Sequence, residues 1–405
     1  MKKEAVAFLG GIYPDDLEAC QSFAKAPLDY AADAYQKKYI SALSEYDIKD
    51  FKIFSVPFYG SWPKNSKLIY VSKKGDSQYK NVEYVNYFNL VGAREFSKNK
   101  NTVKAIKKWY QSVVEMQPTL FVYASVFSKT IMKLKKQCRE LKIVLIVPDL
   151  PQFTYLSENS FLRRCIKKKR TTVFEKACGQ VDLCICITEY MKQYLEKKTG
   201  AKCVVIEGIA DGSRCQKNLF RLQKADAVEI PKIAYTGTLS KKYGILDLVK
   251  GFSMMKEMEC RLVICGGGDA APEIAEIAKS DSRICFLGIV SNDTAKEIQE
   301  SATVLINPRK STDEYTAYSF PSKTMEYLET GNVVICYKLA GIPDEYDDKI
   351  IYIKDSNDCD CLGVALKKAL ALSEEERRNI GVANLQFLLE KKCGSEIFGI
   401  LSEMC

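Results

Sequence analysis

Short, largely apolar runs recur along the first half of the chain, at 5–9, 51–56, 120–124, 143–147, 183–187 and 204–206. They alternate with longer stretches of mixed pattern, at 102–116, 128–141, 161–177 and 189–198. Runs rich in Val and Ile, too continuous for a half-exposed strand and separated by amphipathic helices, predict a parallel sheet covered on both faces. The second half repeats the pattern, with strands predicted at 233–235, 262–265, 284–287, 304–306, 333–337 and 350–353. After the first of these, Ile245, Leu248, Val249 and Phe252 form the stripe of a helix packed on a sheet. Two helices are predicted for the tail, 373–405. A polar break at 211–231 shows little periodicity and is read as the boundary between two α/β domains, residues 1–212 and 213–385, with 386–405 as a C-terminal helix.

A length of 405 residues exceeds one ordinary core and agrees with two domains. No apolar run approaches the roughly 20 residues of a membrane helix. The start of the chain carries two lysines and an apolar stretch broken at Gly10-Gly11 and followed by Pro14-Asp15-Asp16, so it reads as a first strand and not as a signal peptide. Histidine is absent, which excludes a Ser-His-Asp triad, a Cys-His pair, a His-Glu-x-x-His zinc site and a histidine base. The 16 cysteines sit mostly inside apolar runs, such as Cys265 and Cys336, and form no Cys-x-x-Cys; the nearest are Cys184-Ile-Cys186 and Cys359-Asp-Cys361. Neutral buried thiols in a reducing cytoplasm fit this usage. The net charge of +9 is uneven: from Phe161 to Ala177 stand Arg163, Arg164, Lys167, Lys168, Lys169, Arg170 and Lys176 against Glu175. This stretch is either a solvated helix face or a surface for anionic lipid headgroups or a lipid-diphosphate acceptor. No nucleic-acid motif accompanies it.

Three motifs carry candidate chemistry. In Tyr235-Thr-Gly-Thr-Leu-Ser-Lys-Lys-Tyr-Gly244 a strand ends at Gly237 and a helix begins near Gly244, with Lys241 and Lys242 between. It is either an ordinary strand–helix loop or a diphosphate cradle. Gly266-Gly267-Gly268 follows a buried strand but lacks the Gly-x-Gly-x-x-Gly spacing, so it is a weak signal. The third motif runs from Asn307-Pro308-Arg309-Lys310 to Tyr318-Ser-Phe-Pro-Ser-Lys-Thr-Met-Glu-Tyr-Leu-Glu-Thr-Gly331. Ser319 and Pro321 suit a helix start and Gly331 a helix stop. Ser322 and Glu326 are i, i+4 and Lys323 and Glu326 are i, i+3, so hydroxyl, ammonium and carboxylate share a face at the mouth of the sheet. Asp358-Cys-Asp360 is a literal Asp-x-Asp, read as a helix cap and not as a metal site.

These spacings, with Phe286-Leu-Gly-Ile-Val290, resemble glycosyltransferase family 4 of the GT-B fold, most strongly from Lys232 to Asp348. The resemblance implies two Rossmann-like domains with parallel sheets facing a central cleft, and a C-terminal helix returning to the N-terminal domain. It places Glu326 on the ribose hydroxyls, Ile289 and Val290 along the base, and the backbone from Ser319 through Phe320 and Pro321 to Ser322 at the diphosphate. Gly10-Gly11 resembles the family's Gly-rich loop beside the donor and acceptor, Asp149 falls where many members have His-Asp, and Ile206-Glu-Gly-Ile-Ala-Asp211 resembles the crossing into the second domain. Three positions depart from the family: Tyr318 replaces a Glu, Thr238 an Arg and Tyr243 a Lys. The cations left for the diphosphate are Lys241, Lys242, Arg309 and Lys323. Similar departures mark a branch of surface-polysaccharide transferases.

The expected function is a retaining, metal-independent transfer of a sugar from a nucleotide-diphosphate donor, UDP-linked, to a glycan or lipid-linked saccharide in exopolysaccharide synthesis. Lys242, Arg309 and Asp149 are the expected catalytic groups, with Gly237, Thr238 and Tyr318 completing the donor site. No cofactor and no metal ligand is expected, and no nucleic-acid partner. The expected place is the cytoplasm at the inner face of the membrane, touched through Phe161 to Ala177. A sugar-nucleotide epimerase or hydrolase, or a non-catalytic partner subunit, are the alternatives on the same fold.

Overall fold

A computed structural model describes residues 5–24, 28–63, 67–70, 79, 81–153, 161–224, 230–310, 314–354 and 360–403. Its contacts divide the chain into two compact units, Met1–Ile209 with Gly394–Cys405, and Ala210–Cys393. Asp358 and Cys359 of the Asp-x-Asp string, and Lys2 and Lys3, lie outside the described residues.

The strands of the first unit are β1 (Ala5–Gly10), β2 (Asp50–Ser55), β3 (Ile69–Tyr70), β4 (Val82–Tyr84), β5 (Tyr87–Phe88), β6 (Thr119–Tyr123), β7 (Lys142–Val147), β8 (Leu183–Cys186) and β9 (Cys203–Val205). Seven make a parallel sheet in the order β4-β2-β1-β6-β7-β8-β9, while β3 and β5 form a separate antiparallel pair. Every residue of β1, β6 and β8 is buried, as continuous apolar runs require. The helix expected from 102 spans Arg94–Val113. Its buried face is Thr102, Val103, Ile106, Trp109 and Val113. The first two turns bury nothing, so an apolar stripe cannot report them. Helix Ser395–Glu403 adds Ile397, Ile400 and Leu401 to the core that holds Ile40 and Leu43.

The second unit has β10 (Lys232–Thr236), β11 (Arg261–Cys265), β12 (Ile284–Gly288), β13 (Val304–Asn307), β14 (Val333–Tyr337) and β15 (Ile351–Ile353), all parallel, in the order β12-β11-β10-β13-β14-β15. The stretch read as a polar break holds a helix, Gly212–Gln223, capped by the Asp211 carboxylate on the Arg214 amide. Its buried face is Arg214, Cys215, Asn218 and Leu222. Half of that face is polar, so hydrophobic periodicity misses it. The contacts break at 209/210, just before this helix. Helix Glu374–Lys391 starts with a capping box between Ser373 and Glu376. Among the described residues no helix is long and apolar enough to cross a membrane. Most of the described cysteines are buried.

Candidate functional site

In the second sheet the chain leaves β10 toward β11 on one side, and β13 pairs with β10 on the other. At such a reversal the connections diverge and leave a crevice outside the C-terminal strand ends. Thr236 and Asn307 end the two strands that flank it.

The loops around this crevice are tied to one another. The Gly237 amide donates to Cys265 O at 3.0 Å, the Leu239 amide to Gly267 O at 2.9 Å, and the Gly266 amide to Gly288 O at 2.7 Å. A Cβ on Gly266 would stand 1.7 Å from Gly237 O, and one on Gly268 2.3 Å from Leu239 O. Gly266 and Gly268 therefore serve the approach of one loop's backbone to another, while a Cβ on Gly267 would meet only the Ile289 side chain at 3.0 Å. On the opposite side Gly244 (φ 73) lies against Pro308 O, 2.3 Å from where a Cβ would be.

Helix Ser322–Leu328 follows Pro321, whose N-cap position carries no side-chain hydrogen bond. Thr324, Met325, Tyr327 and Leu328 are its buried face. The Tyr327 hydroxyl accepts from the Thr236 amide at 2.9 Å and donates to Thr236 O at 3.2 Å, fixing the helix to the end of β10. The outward face presents Lys323 and Glu326. As their spacing predicts, they pair, Nζ to Oε2 at 2.9 Å. The other carboxylate oxygen, Oε1, accepts from Gln299 Nε2 at 2.8 Å. Burial alone would raise the Glu326 carboxyl; the Lys323 charge and the hydrogen bonds from Gln299 and Lys323 outweigh it and hold the carboxyl below the ordinary glutamate range. Each oxygen keeps acceptor capacity for a further hydroxyl.

Gln299 was not singled out from sequence. It is fully buried, also donates to Thr236 Oγ1 at 2.7 Å, and accepts from Arg214 Nη2 at 2.8 Å. Arg214 in turn reaches Glu326 O at 3.3 Å, Glu329 Oε2 at 3.4 Å and Glu300 Oε1 at 3.4 Å. Both residues come from helices far along the chain from Glu326, so no local motif marks them.

The expected cations divide. Arg309 stacks between Tyr243 and Tyr315, its guanidinium carbon 5.2 and 5.0 Å from the ring centroids, and its Nε is buried without a hydrogen bond. The Lys323 stem lies on Gly237, with Cε 3.4 Å from where a Cβ would be. Lys241 turns away to Glu273 at 3.0 Å, and Lys242 is exposed in the short turn Lys241–Tyr243. Lys310 pairs with Asp247 at 2.7 Å. Thr238 is exposed, and its carbonyl accepts from the Tyr235 hydroxyl at 2.8 Å. Ile289, just past β12, is 84% exposed and lies over Gly267, while Val290 is half-buried. Tyr318 and Ser319 are half-buried and Ser322 is exposed. Pro321 is buried, and so is Phe320, its ring packed 5.6 Å from that of Tyr346, so only its backbone is left for a ligand.

In the first unit, Gly10 ends β1 and Gly11 follows it, at that sheet's own reversal point. Both are buried. The Gly11 amide donates to Gln36 Oε1 at 2.6 Å, and a Cβ on Gly11 would strike the Phe58 ring at 2.4 Å. Asp149 is exposed just past β7.

Residues 230–371 match the family model described as glycosyl transferases group 1. The chain carries a glycosyltransferase domain. Solved structures agree along its whole length. A trehalose-6-phosphate structure from E. coli bound with UDP-2-fluoro glucose superposes with a TM-score of 0.63 at 10% identity, covering 99% of each chain. A UDP-forming α,α-trehalose-phosphate synthase from Burkholderia vietnamiensis gives 0.65 at 10% identity, again with 99% of each chain covered. Sucrose-phosphate synthase from Thermosynechococcus elongatus gives 0.64 at 14% identity and the same coverage. The fold of this glycosyltransferase is therefore GT-B. No curated protein sequence matches the chain.

Proposed function

We propose that the enzyme is a retaining, metal-independent transferase that moves a sugar from UDP to a saccharide acceptor, glycan or lipid-linked, in surface-polysaccharide synthesis. The observation that carries the donor site is Glu326, an ionised, half-buried carboxylate at the crevice with both oxygens already oriented. Such a group accepts two vicinal ribose hydroxyls. The exposed Ile289 offers an apolar surface to a base, and the backbone of Ser319 to Ser322 offers amides to the diphosphate.

Departure of the diphosphate places growing negative charge on the β-phosphate, which fixed cations stabilise. The two family cations that this chain lacks, at Thr238 and Tyr243, have substitutes in space: Lys323 lies over Gly237 beside Thr238, and Arg309 covers the Tyr243 ring. Lys242 is free to add a third charge from the loop. In this reading the departing phosphate accepts the acceptor's proton on the same face, and Asp149 is a further catalytic group. UDP as the carrier is supported by the UDP-forming synthase and the UDP-sugar complex among the solved structures of the same fold.

Calorimetry with UDP tests the donor site. Glu326→Ala should weaken UDP by roughly 10- to 100-fold, the worth of hydrogen bonds to a charged group, with an unchanged melting curve. An unchanged affinity refutes the assignment. Turnover that persists in a chelator is the expected result for metal independence, and turnover abolished by it would overturn that part.

Membrane contact is the second element of the proposal. Helix Phe161–Cys178 exposes Arg164, Lys168, Lys169 and Arg170 beside Phe161, 75% exposed, and Ile166. Phe161, Arg164 and Lys168 fall on one side of this helix, and such a face suits anionic headgroups with shallow apolar insertion. Co-sedimentation with anionic but not neutral vesicles is expected, and equal behaviour with both would count against it.

A further inference from the structure

Above the C-terminal ends of β2 and β6, the strands that flank β1, the first unit has a pocket of its own. One wall is apolar, with Val56, Phe58 and Phe127; the other is cationic, with Arg94, Lys98 and Lys129. Glu95 also lines it and lies 3.7 Å from Arg94 Nε. That Nε is buried and makes no hydrogen bond. Among the described residues neither Lys98 nor Lys129 is paired with a carboxylate. Lys98 instead sits over the Tyr87 ring, 4.5 Å from its centroid.

This charge placement is unfavourable by itself. Arg94 and Lys98 occupy the start of the 20-residue helix Arg94–Val113, whose N-cap makes no side-chain hydrogen bond. Arg94 in the first turn opposes the positive end of the helix dipole, which Glu95 beside it complements. A second irregularity adjoins the pocket: Ala124, just past β6, has φ 73 and ψ 159, a conformation that side chains rarely adopt. It turns the chain into the segment that supplies Phe127 and Lys129. An anion in the pocket would satisfy Lys98 and Lys129 at once and compete with Glu95 for Arg94, and a sugar's C–H groups would suit the part of the Phe58 ring that Tyr123 and Phe127 leave open.

We propose that this pocket holds the anionic group, phosphate or carboxylate, of the saccharide acceptor, with Arg94, Lys98 and Lys129 on the charge and Phe58 against the sugar. The proposal rests on the glycosyltransferase reading for the word acceptor. Burial, and after it the Arg94 charge, bring Lys98 down to about 7. The groups that face it are Arg94 and Glu95 on its own helix, the Tyr87 ring from β5 and Lys129 across the pocket. A bound anion therefore draws a proton onto Lys98.

Calorimetry on the full chain decides the matter, using a hexose 6-phosphate, a hexuronate, the neutral hexose and UDP. An anionic sugar should bind about tenfold or more tighter than the neutral one, and whichever of the two anions binds identifies the charged group. Lys98→Met and Lys129→Gln should each weaken it about tenfold and leave UDP unaffected. Proton uptake at about pH 7.5, read from buffers of different ionisation enthalpy, should vanish in Lys98→Met and persist in Lys129→Gln. Equal affinity for charged and neutral sugars, no binding of either anion, or affinities indifferent to both substitutions would overturn the proposal. UDP that fails to bind while an anionic sugar binds through these lysines would remove the donor assignment and still support the anion pocket.

Discussion

Gln299 holds Glu326 in place without facing the ligand itself, and replacing it separates orientation from charge. Gln299→Leu keeps the volume and removes three hydrogen bonds, to Thr236 Oγ1 at 2.7 Å, to Glu326 Oε1 at 2.8 Å and from Arg214 at 2.8 Å. Two of these involve charged partners, each worth about 1.5–3 kcal/mol, and the neutral one about 1 kcal/mol. The three share one network and do not add, and Glu326 is open enough to regain water, so the expected loss of stability is about 2–4 kcal/mol. Lys323 still holds Oε2 at 2.9 Å, so the carboxylate is loosened and not lost. The UDP affinity should fall roughly 5- to 20-fold, as one of its two orienting bonds goes. A merely structural residue could produce both effects, so the deciding measurement is the pH profile. Glu326 is held below the ordinary glutamate range, and in the proposed donor reading its ionised form accepts the ribose hydroxyls. Its contribution is therefore present at neutral pH and lost as the pH falls through that lowered value. Removing the Gln299 donor raises the carboxyl, so the acid limb of UDP binding should move to higher pH. Leu248→Ala, in the same core and fully buried, is the control: it should destabilise by about 2–5 kcal/mol and leave that limb in place. An acid limb in Gln299→Leu that coincides with the wild type would refute the reasoning.

Arg309→Ala should cost UDP roughly 10- to 100-fold and leave uridine unchanged, because Arg309 is assigned to the diphosphate; calorimetry with both ligands checks it. Gly266→Ala puts a methyl 1.7 Å from Gly237 O at φ 140, so the second unit should lose well over about 3 kcal/mol or fail to fold, as read by thermal melting. Ser373→Ala removes the capping box of helix Glu374–Lys391 and should cost about 1 kcal/mol in denaturant unfolding, with no change in UDP affinity.

Reading from sequence succeeded where one local pattern carries the structure. Continuous apolar strands announce themselves, and so does the i, i+3 pair of Lys323 and Glu326, which meets as its spacing requires. It failed where the buried face is polar. Helix Gly212–Gln223 turns Arg214 and Asn218 inward, and a hydrophobic stripe cannot see them. It failed again where the partner is distant in sequence: nothing around Gln299 connects it to a carboxylate 27 residues on. The glycines at 266–268 are legible as unusual but not as to cause, since for Gly266 and Gly268 the cause is the carbonyl of another loop. The cations of the first unit's pocket belong to two helices, both rich in lysine, and nothing local in either stretch tells which of those charges face a common pocket.

The lacing of the loops after β10, β11 and β12 limits how such a protein can diversify. With Gly237, Leu239, Gly266, Gly267 and Gly288 hydrogen-bonded into one plate, an insertion or deletion in any of these loops must disturb the other two. If the proposed donor site holds, new donor preferences are reached by exchanging the exposed side chains of these loops, such as Thr238, Lys242 and Ile289, while the outline stays fixed. A library aimed at altered sugar or base selectivity should accordingly randomise those exposed positions and hold loop lengths constant.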